Sequence, residues 1–322
     1  MRISLLEAAE RLLAGQVVAV PTETVYGLAA SIKIPEAIKT IYKLKNRPLV
    51  NPLIVHIAHQ EEIMHYTQEH PPGVEQLAKT FWPGPFTCIL PAQEERVPAF
   101  ARAHLSTVGI RIPAHPLTHQ LLKITGPLVM PSANLSGRPS ATLPKHVEED
   151  FGLDFPILDG GACTQGVEST ILLYQANQWM IGRLGALAPE CFAPLLGYQP
   201  VIIQKQDHLK PVCPGQLFRH YAPQAELILG EINQQERASV ILGFNGRIYP
   251  HSQRIIRLGS LEHPQQVAGQ LYRVLRQLDQ EKIQVAWVDM DFPRHGLWLT
   301  IAERLKRAGE PITQQICGNE QV

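Results

Sequence analysis

Val17-Val18-Ala19-Val20-Pro21-Thr22-Glu23-Thr24-Val25-Tyr26-Gly27-Leu28 carries a short apolar run straight into hydroxyls and a glycine. Val17 to Pro21 reads as a buried strand, because β-branched residues suit a covered, pleated surface. In an open α/β sheet, the space beyond a strand's carboxyl end is where ligands bind. On these residues alone, a strand end capped by threonines is an equally good reading.

Working outward, similar apolar runs occur at Leu53 to Ile57, Thr87 to Leu90, Thr107 to Ile112, Leu128 to Met130, Pro156 to Leu158, Ser169 to Leu173 and Trp179 to Arg183. Helical patterns separate some of them, as an α/β sheet requires. Glu36 to Lys45 sets Ala37, Ile38, Ile41 and Leu44 on one helical stripe and stops before Pro48,. Lys45 and Arg47 are thereby expected at a helix end and proline turn, outside any core. The apolar runs then cease, and Lys210-Pro211, Cys213-Pro214-Gly215 and Ala222-Pro223 punctuate a stretch without periodicity,. Strand-like Leu227 to Leu229, Val240 to Phe244, Ile255 to Leu258 and Val285 to Asp289 follow, with helices over Pro264 to Gln280 and Leu299 to Ala308. The expected organisation is a first domain over residues 1–205, a linker over 206–225 and a second domain over 226–322.

The 322 residues are 45% hydrophobic and only 18% charged, which suits a well-buried chain and not a disordered one,. Lysine plus arginine equal aspartate plus glutamate at 29 each, so no overall field draws the protein onto nucleic acid or an anionic membrane,. Glu7, Glu10 and Arg11 interrupt the place where a secretory apolar core would sit, and no run approaches the roughly 20 apolar residues of a bilayer span,. The five cysteines are isolated singletons, against both a zinc site and a disulfide scaffold,. A soluble, cytoplasmic protein is expected.

Several segments could carry chemistry. Lys45-Asn46-Arg47 offers two cations for an anion, although alone it reads more readily as a solvated pair,. Arg111 lies on the strand face opposite Ile110 and Ile112 and could fork to a carboxylate, or simply face solvent,. Pro131-Ser132-Ala133-Asn134-Leu135-Ser136-Gly137 and Gly166-Val167-Glu168-Ser169-Thr170 place small polar side chains at strand ends, and each alone is a turn. His56 by itself is a satisfied, half-buried histidine. His115 and His119 have the i, i+4 spacing of helix-borne metal ligands but no acidic partner nearby,. Neither a Walker A loop nor G-x-G-x-x-G is present, so a nucleotide would need another cradle,.

Taken in order, PTETVYGL, IYKLKNRPLVNPLIVHI, FWPGPFT, TVGIRIP, PSANLSGRPSAT and GVESTILL resemble the YrdC-like domain of threonylcarbamoyl-AMP synthases over roughly Ser4 to Pro200. CPGQLFRHYAP and HGLWLTIAERLKRAG resemble the linker and second domain of the longer form of that enzyme, the former more loosely. The resemblance implies an α/β fold: a YrdC-like twisted open mixed sheet with helices, plus a smaller Rossmann-like α/β domain. It also implies a reaction in which threonine takes up bicarbonate and the carbamate attacks ATP, giving threonylcarbamoyl-AMP and pyrophosphate for tRNA modification. Lys45 and Arg47 are then the implied catalytic cations. Arg47, Asn51, Thr107, Asn134, Thr142, Arg183 and Tyr221 are implied for ATP, and Thr24, His56, Arg111, Ser132 and Ser169 for threonine. Magnesium is expected on the phosphates, with no protein-held metal. Contact with tRNA is expected to be weak or indirect, through downstream transfer proteins. A non-catalytic RNA-binding module with this domain is the rival reading. A hydrogenase-maturation carbamoyl transferase would carry C-x-x-C pairs, and this sequence has none.

Overall fold

The computed structural model describes residues 1–203, 220–230, 240–250 and 254–310. Of the expected linker, residues 206–219 lie outside the described residues, as do Cys213 and Cys317.

The first unit is built on a ten-stranded mixed sheet. Its strands are β1 (Arg2–Ile3), β2 (Val18–Val20), β3 (Gly27–Ser31), β4 (Ile54–His56), β5 (Phe86–Pro91), β6 (Thr107–Arg111), β7 (Leu128–Val129), β8 (Ile157–Leu158), β9 (Thr170–Gln175) and β10 (Gln178–Arg183). Their spatial order is β1-β8-β2-β3-β7-β4-β6-β5-β9-β10. Side chains alternate between two cores, as the two-residue period of a strand dictates. Ala19 and Leu28 join one cluster, while Val18, Val20 and Ala29 join the other with Leu12 of α1 (Leu5–Leu13) and Leu121 of α5 (Pro116–Thr125). Strand β3 was not among the expected strands. Its Gly-Leu-Ala-Ala-Ser composition lacks β-branched residues, yet it is buried throughout and sits between β2 and β7.

The second unit has a wholly parallel sheet of β11 (Glu226–Gly230), β12 (Val240–Phe244), β13 (Arg254–Gly259) and β14 (Val285–Asp289), in the order β11-β14-β12-β13. Helices α8 (Pro264–Gln280) and α9 (Leu297–Ala308) cover one face through Leu271, Leu275, Ile301 and Leu305. The Rossmann-like expectation agrees with this arrangement. The same core takes in Val25, Val167 and Tyr221, so the two units share packing. Gly166 (φ +73°) marks how closely they approach: a Cβ there would fall 2.4 Å from the Ala268 carbonyl oxygen of α8. Among the described residues no helix is long and apolar enough to cross a membrane.

Candidate functional site

Parallel pairing of β4 with β6 aligns His56 with Arg111, so two polar side chains lie side by side at adjacent carboxyl ends. The Thr22 to Val25 turn after β2 reaches Arg111 through Glu23 and Thr24, and Thr22 ties it together by accepting from the Thr24 and Val25 amides. A bridge between Gly27 and Ser132 brings in the segment after β7. Ser169, just before β9, exchanges a 2.7 Å hydroxyl hydrogen bond with Thr87. Arg183, at the end of β10, donates to the Ser169 carbonyl at 2.9 Å. One cleft runs between these segments, past Pro52 and Ile54 to His56,.

Nine of the expected residues line this cleft. Thr24, His56, Arg111, Ser132 and Ser169 do so, and so do Arg47, Asn134, Arg183 and Tyr221. Lys45, Asn51, Thr107 and Thr142 do not. Thr107 sits at the opposite end of β6 from Arg111. Thr142 accompanies His146, whose ring nitrogen Nδ1 accepts from the Thr142 amide. Asn51 lies in the loop that Arg47 grips through the Asn51 and Pro52 carbonyls.

The expectation that Lys45 stands outside any core is corrected. Helix α2 (Pro35–Lys45) ends at Asn46 in a left-handed conformation (φ +50°), and Lys45 is only 1% exposed. Its ammonium donates to the carbonyls of Ser132 and Asn134, so the loop carrying those residues folds over it. Burial, aided by the nearby Arg47 charge, holds the Lys45 pKa well below its ordinary value. Arg111 is likewise buried and not a solvent-facing residue. Its guanidinium donates to Glu23, to the Thr24 hydroxyl at 3.0 Å and to the Gly84 carbonyl at 3.2 Å.

His56 is buried, and burial together with the Arg111 charge lowers its pKa well below the ordinary histidine value. Its Nδ1 lies 3.1 Å from the Ile54 carbonyl, which requires the proton there and leaves Nε2 as an acceptor,. Arg47 is brought down to about 10 by burial, with Tyr42 opposing the fall. Among the described residues neither Arg47 nor Arg183 makes an ion pair. Asn51 Oδ1, Asn134 Oδ1 and Arg183 Nε are buried without a partner. A buried polar atom left so costs about 1 to 3 kcal/mol, so two in the cleft lining, with Asn51 in the adjoining Arg47 loop, suit a polar ligand,. The cleft can therefore hold a polyanion against Arg47 and Arg183, and a small carboxylate-bearing molecule against Arg111 and His56.

Two carboxylates at the site escaped the reading of the sequence, although both sit inside the quoted motifs. Glu23 pairs with Arg111, and Glu168 lines the cleft while paired with Arg304 of α9. The available signal was an acidic residue flanked on both sides by residues fit for burial. No group of three His, Cys, Asp or Glu among the described residues could hold a metal ion. His119 donates a hydrogen bond from Nε2 to the Ala58 carbonyl at 2.8 Å.

A family model described as "Telomere recombination" (Sua5_yciO_yrdC) matches residues 10–185, and one described as "Threonylcarbamoyl-AMP synthase, C-terminal domain" matches residues 189–309. A Bacillus subtilis protein named Threonylcarbamoyl-AMP synthase is 37% identical over 94% of this chain and 92% of its own length. One of the same name from Pyrococcus abyssi is 36% identical over 91% and 90%. The crystal structure of P. abyssi Sua5 complexed with L-threonine superposes with a TM-score of 0.86 at 34% identity, covering 96% of each chain. With both family models matched in order and both lengths spanned, the chain belongs to the Sua5 family of threonylcarbamoyl-AMP synthases.

Proposed function

We propose that this chain joins L-threonine, bicarbonate and ATP into threonylcarbamoyl-AMP, releasing pyrophosphate. The observation that carries this reading is the pairing of His56 with Arg111 beside Arg47 and Arg183, two arginines without ion pairs among the described residues, in one cleft. The threonine amine attacks the carbon of bicarbonate, water leaves, and a carbamate forms. A carbamate oxygen then attacks the α-phosphorus of ATP, and the bond to the β-phosphate oxygen breaks to release pyrophosphate. Three anions must be brought together, so charge stabilisation and alignment supply most of the catalysis.

In this reading Arg111 holds the threonine carboxylate with the N–H groups left over from Glu23, Thr24 and Gly84. His56 Nε2 accepts from the threonine hydroxyl or amine, and Thr24, Ser132 and Ser169 complete that pocket. Arg47 and Arg183 take the phosphates. Lys45 shapes the Ser132 to Asn134 loop from beneath. Asn134 and Tyr221 serve the nucleotide in the cleft, and Asn51, Thr107 and Thr142 serve it where it extends beyond the cleft, the orphaned amide oxygens of Asn51 and Asn134 accepting from it. Magnesium enters as part of the ATP substrate, held by its phosphates. We take residues 1–205 as the catalytic domain, 226–322 as the second domain, and 206–225 as the connection between them. The product passes to a separate transferase acting on tRNA, which places the enzyme in the cytoplasm.

The test is pyrophosphate release from the full chain with ATP, omitting threonine and bicarbonate in turn. Release that requires both, with an acyl-adenylate detected by mass spectrometry, supports the reading. Release indifferent to both would mark a simple ATP pyrophosphatase. No release with tRNA binding retained would favour the RNA-binding module.

A further inference from the structure

Glu168 sets a carboxylate in the wall of a cleft whose other charges suit a polyanion. Left alone it would repel a triphosphate, since two charges a few ångströms apart in a partly buried site interact by several kcal/mol. Its four contacts come from both units. Oε1 accepts from Ser140 at 2.7 Å and from Tyr272 at 3.1 Å. Oε2 accepts from Tyr272 at 2.8 Å and from Arg304 Nε at 3.0 Å. Tyr272 belongs to α8 and Arg304 to α9, so the second unit supplies the counter-charge.

Arg304 is fully buried and is itself fixed on several sides. It donates to the Leu184 carbonyl at 2.7 Å and to Glu303, and its guanidinium lies 4.7 Å from the centre of the Tyr221 ring. Tyr221 in turn stacks on Tyr272 at 5.4 Å. Burial acting alone would raise the Glu168 pKa, but the charges of Arg304 and Arg183 and the Ser140 hydrogen bond outweigh it and bring it to about 2. The carboxylate is therefore ionised at neutral pH, and its charge must be balanced locally.

We propose that Arg304 is a positioning residue for the nucleotide: acting through Glu168, it neutralises the one carboxylate that, among the described residues, lines the cleft wall and would otherwise oppose a triphosphate. The second unit thus contributes to the site by charge balance and without touching substrate. This rests on the reading of the cleft as an ATP site. It also accounts for why a carboxylate is tolerated there at all.

The experiment measures ATP and threonine binding separately by titration calorimetry on the full-length parent, Arg304→Met, Arg304→Lys, Glu168→Gln and the Arg304→Met/Glu168→Gln pair, with a thermal midpoint for each. Arg304→Met is expected to weaken ATP about tenfold or more and threonine by less than about threefold, because the exposed charge faces the polyanion. Adding Glu168→Gln should recover at least half of that loss, and Arg304→Lys should fall between parent and Arg304→Met. Equal weakening of both ligands in step with a lowered midpoint would show a structural role and overturn the proposal. So would an ATP defect that Glu168→Gln does not relieve. If Arg304→Met does not fold, the paired variant, which leaves no buried unpaired charge, carries the test. Binding of ATP within about threefold of Glu168→Gln alone supports the proposal, and binding tenfold weaker overturns it. A parent that binds ATP but releases no pyrophosphate with threonine and bicarbonate overturns the assigned activity and leaves this inference to the affinities. A parent that binds no ATP overturns both.

Discussion

Arg111 Nη2 donates to Glu23 Oε1 at 2.6 Å, and both side chains are shielded from water. Glu23 is itself anchored by the Ala114 amide at 3.1 Å, so the guanidinium plane is set before any ligand arrives. Such pre-organisation lowers the cost of binding a carboxylate in a forked geometry.

Arg111→Lys is accordingly expected to weaken threonine about tenfold or more while ATP binding changes by less than about threefold, because lysine cannot reproduce the fork. Arg111→Met should in addition lose about 3 to 5 kcal/mol of stability, since it strands a buried carboxylate. Separate titrations of the two ligands and a urea unfolding curve decide both points. A larger effect on ATP than on threonine would reverse the assignment of the pocket.

Lys45→Met keeps the length of the side chain but abandons two buried carbonyls. The expected loss is about 1 to 3 kcal/mol per unsatisfied group, accompanied by loss of adenylate formation as the Ser132 to Asn134 loop shifts. Urea midpoints and product yield are read together. An unchanged midpoint would mean that the loop does not depend on the ammonium.

Acid should destabilise the protein before its carboxylates titrate. Burial lowers His56 well below 6.5, and burial with Arg276 and other cations brings His146 to about 3. The unfolded chain then binds protons that the folded chain refuses, so stability falls as pH drops below about 6.5. By pH 5 each such histidine costs about 2 kcal/mol. Glu168 works at lower pH, its contribution fading from about 4.5 down to about 2,. Unfolding free energies at pH 7.5 and pH 5.0 test the sign, and His146→Asn should reduce the slope, the rest coming from His56 with His115 and His70, which burial also lowers,. Stability that rose between those values would refute it.

Gly185 is pressed against the backbone just before β9. A Cβ there would lie 2.3 Å from both the Ser169 carbonyl carbon and the Thr170 amide nitrogen. Gly185→Ala must therefore push Ser169 aside, and a cost of about 1 to 3 kcal/mol is expected, as for other overpacked sites. Threonine affinity should fall with it. Retained threonine affinity at parental stability would show that the segment yields freely.

How much of this was legible beforehand differs by element. Val240–Phe244 and Val285–Asp289 form strands at the expected residues, because a fully buried parallel sheet needs continuous runs of branched and aromatic side chains,. Pro264–Gln280 was equally plain from its stripe of Val267, Leu271, Val274 and Leu278 with proline at the start,. Strand β3 was hidden because its residues are small and its place is fixed by two neighbours and not by local preference. At the site, the strand-end motifs announced Thr24, Arg111 and Ser169. Their partners were invisible for a physical reason: Arg111 meets Glu23 across 88 residues and Arg304 meets Glu168 across 136. Nothing local in a sequence encodes a pairing of that separation, and a charged residue destined for the interior looks the same as one facing water. Lys45 shows this most clearly, since its burial depends on a loop almost ninety residues away.

The contact of α9 with Glu168 has a consequence for how the enzyme is made. A ribosome releases the strands that form the cleft well before it releases Arg304. Until then Glu168 lacks both the Tyr272 hydroxyl and the Arg304 charge that the second unit brings to it. Docking of α9 strips water from both charges together, and an unmatched buried ion would be costly. A chain without α9 would leave Glu168 in the cleft wall with no Arg304 beside it, a first sheet whose cleft, on the proposal above, opposes a polyanion.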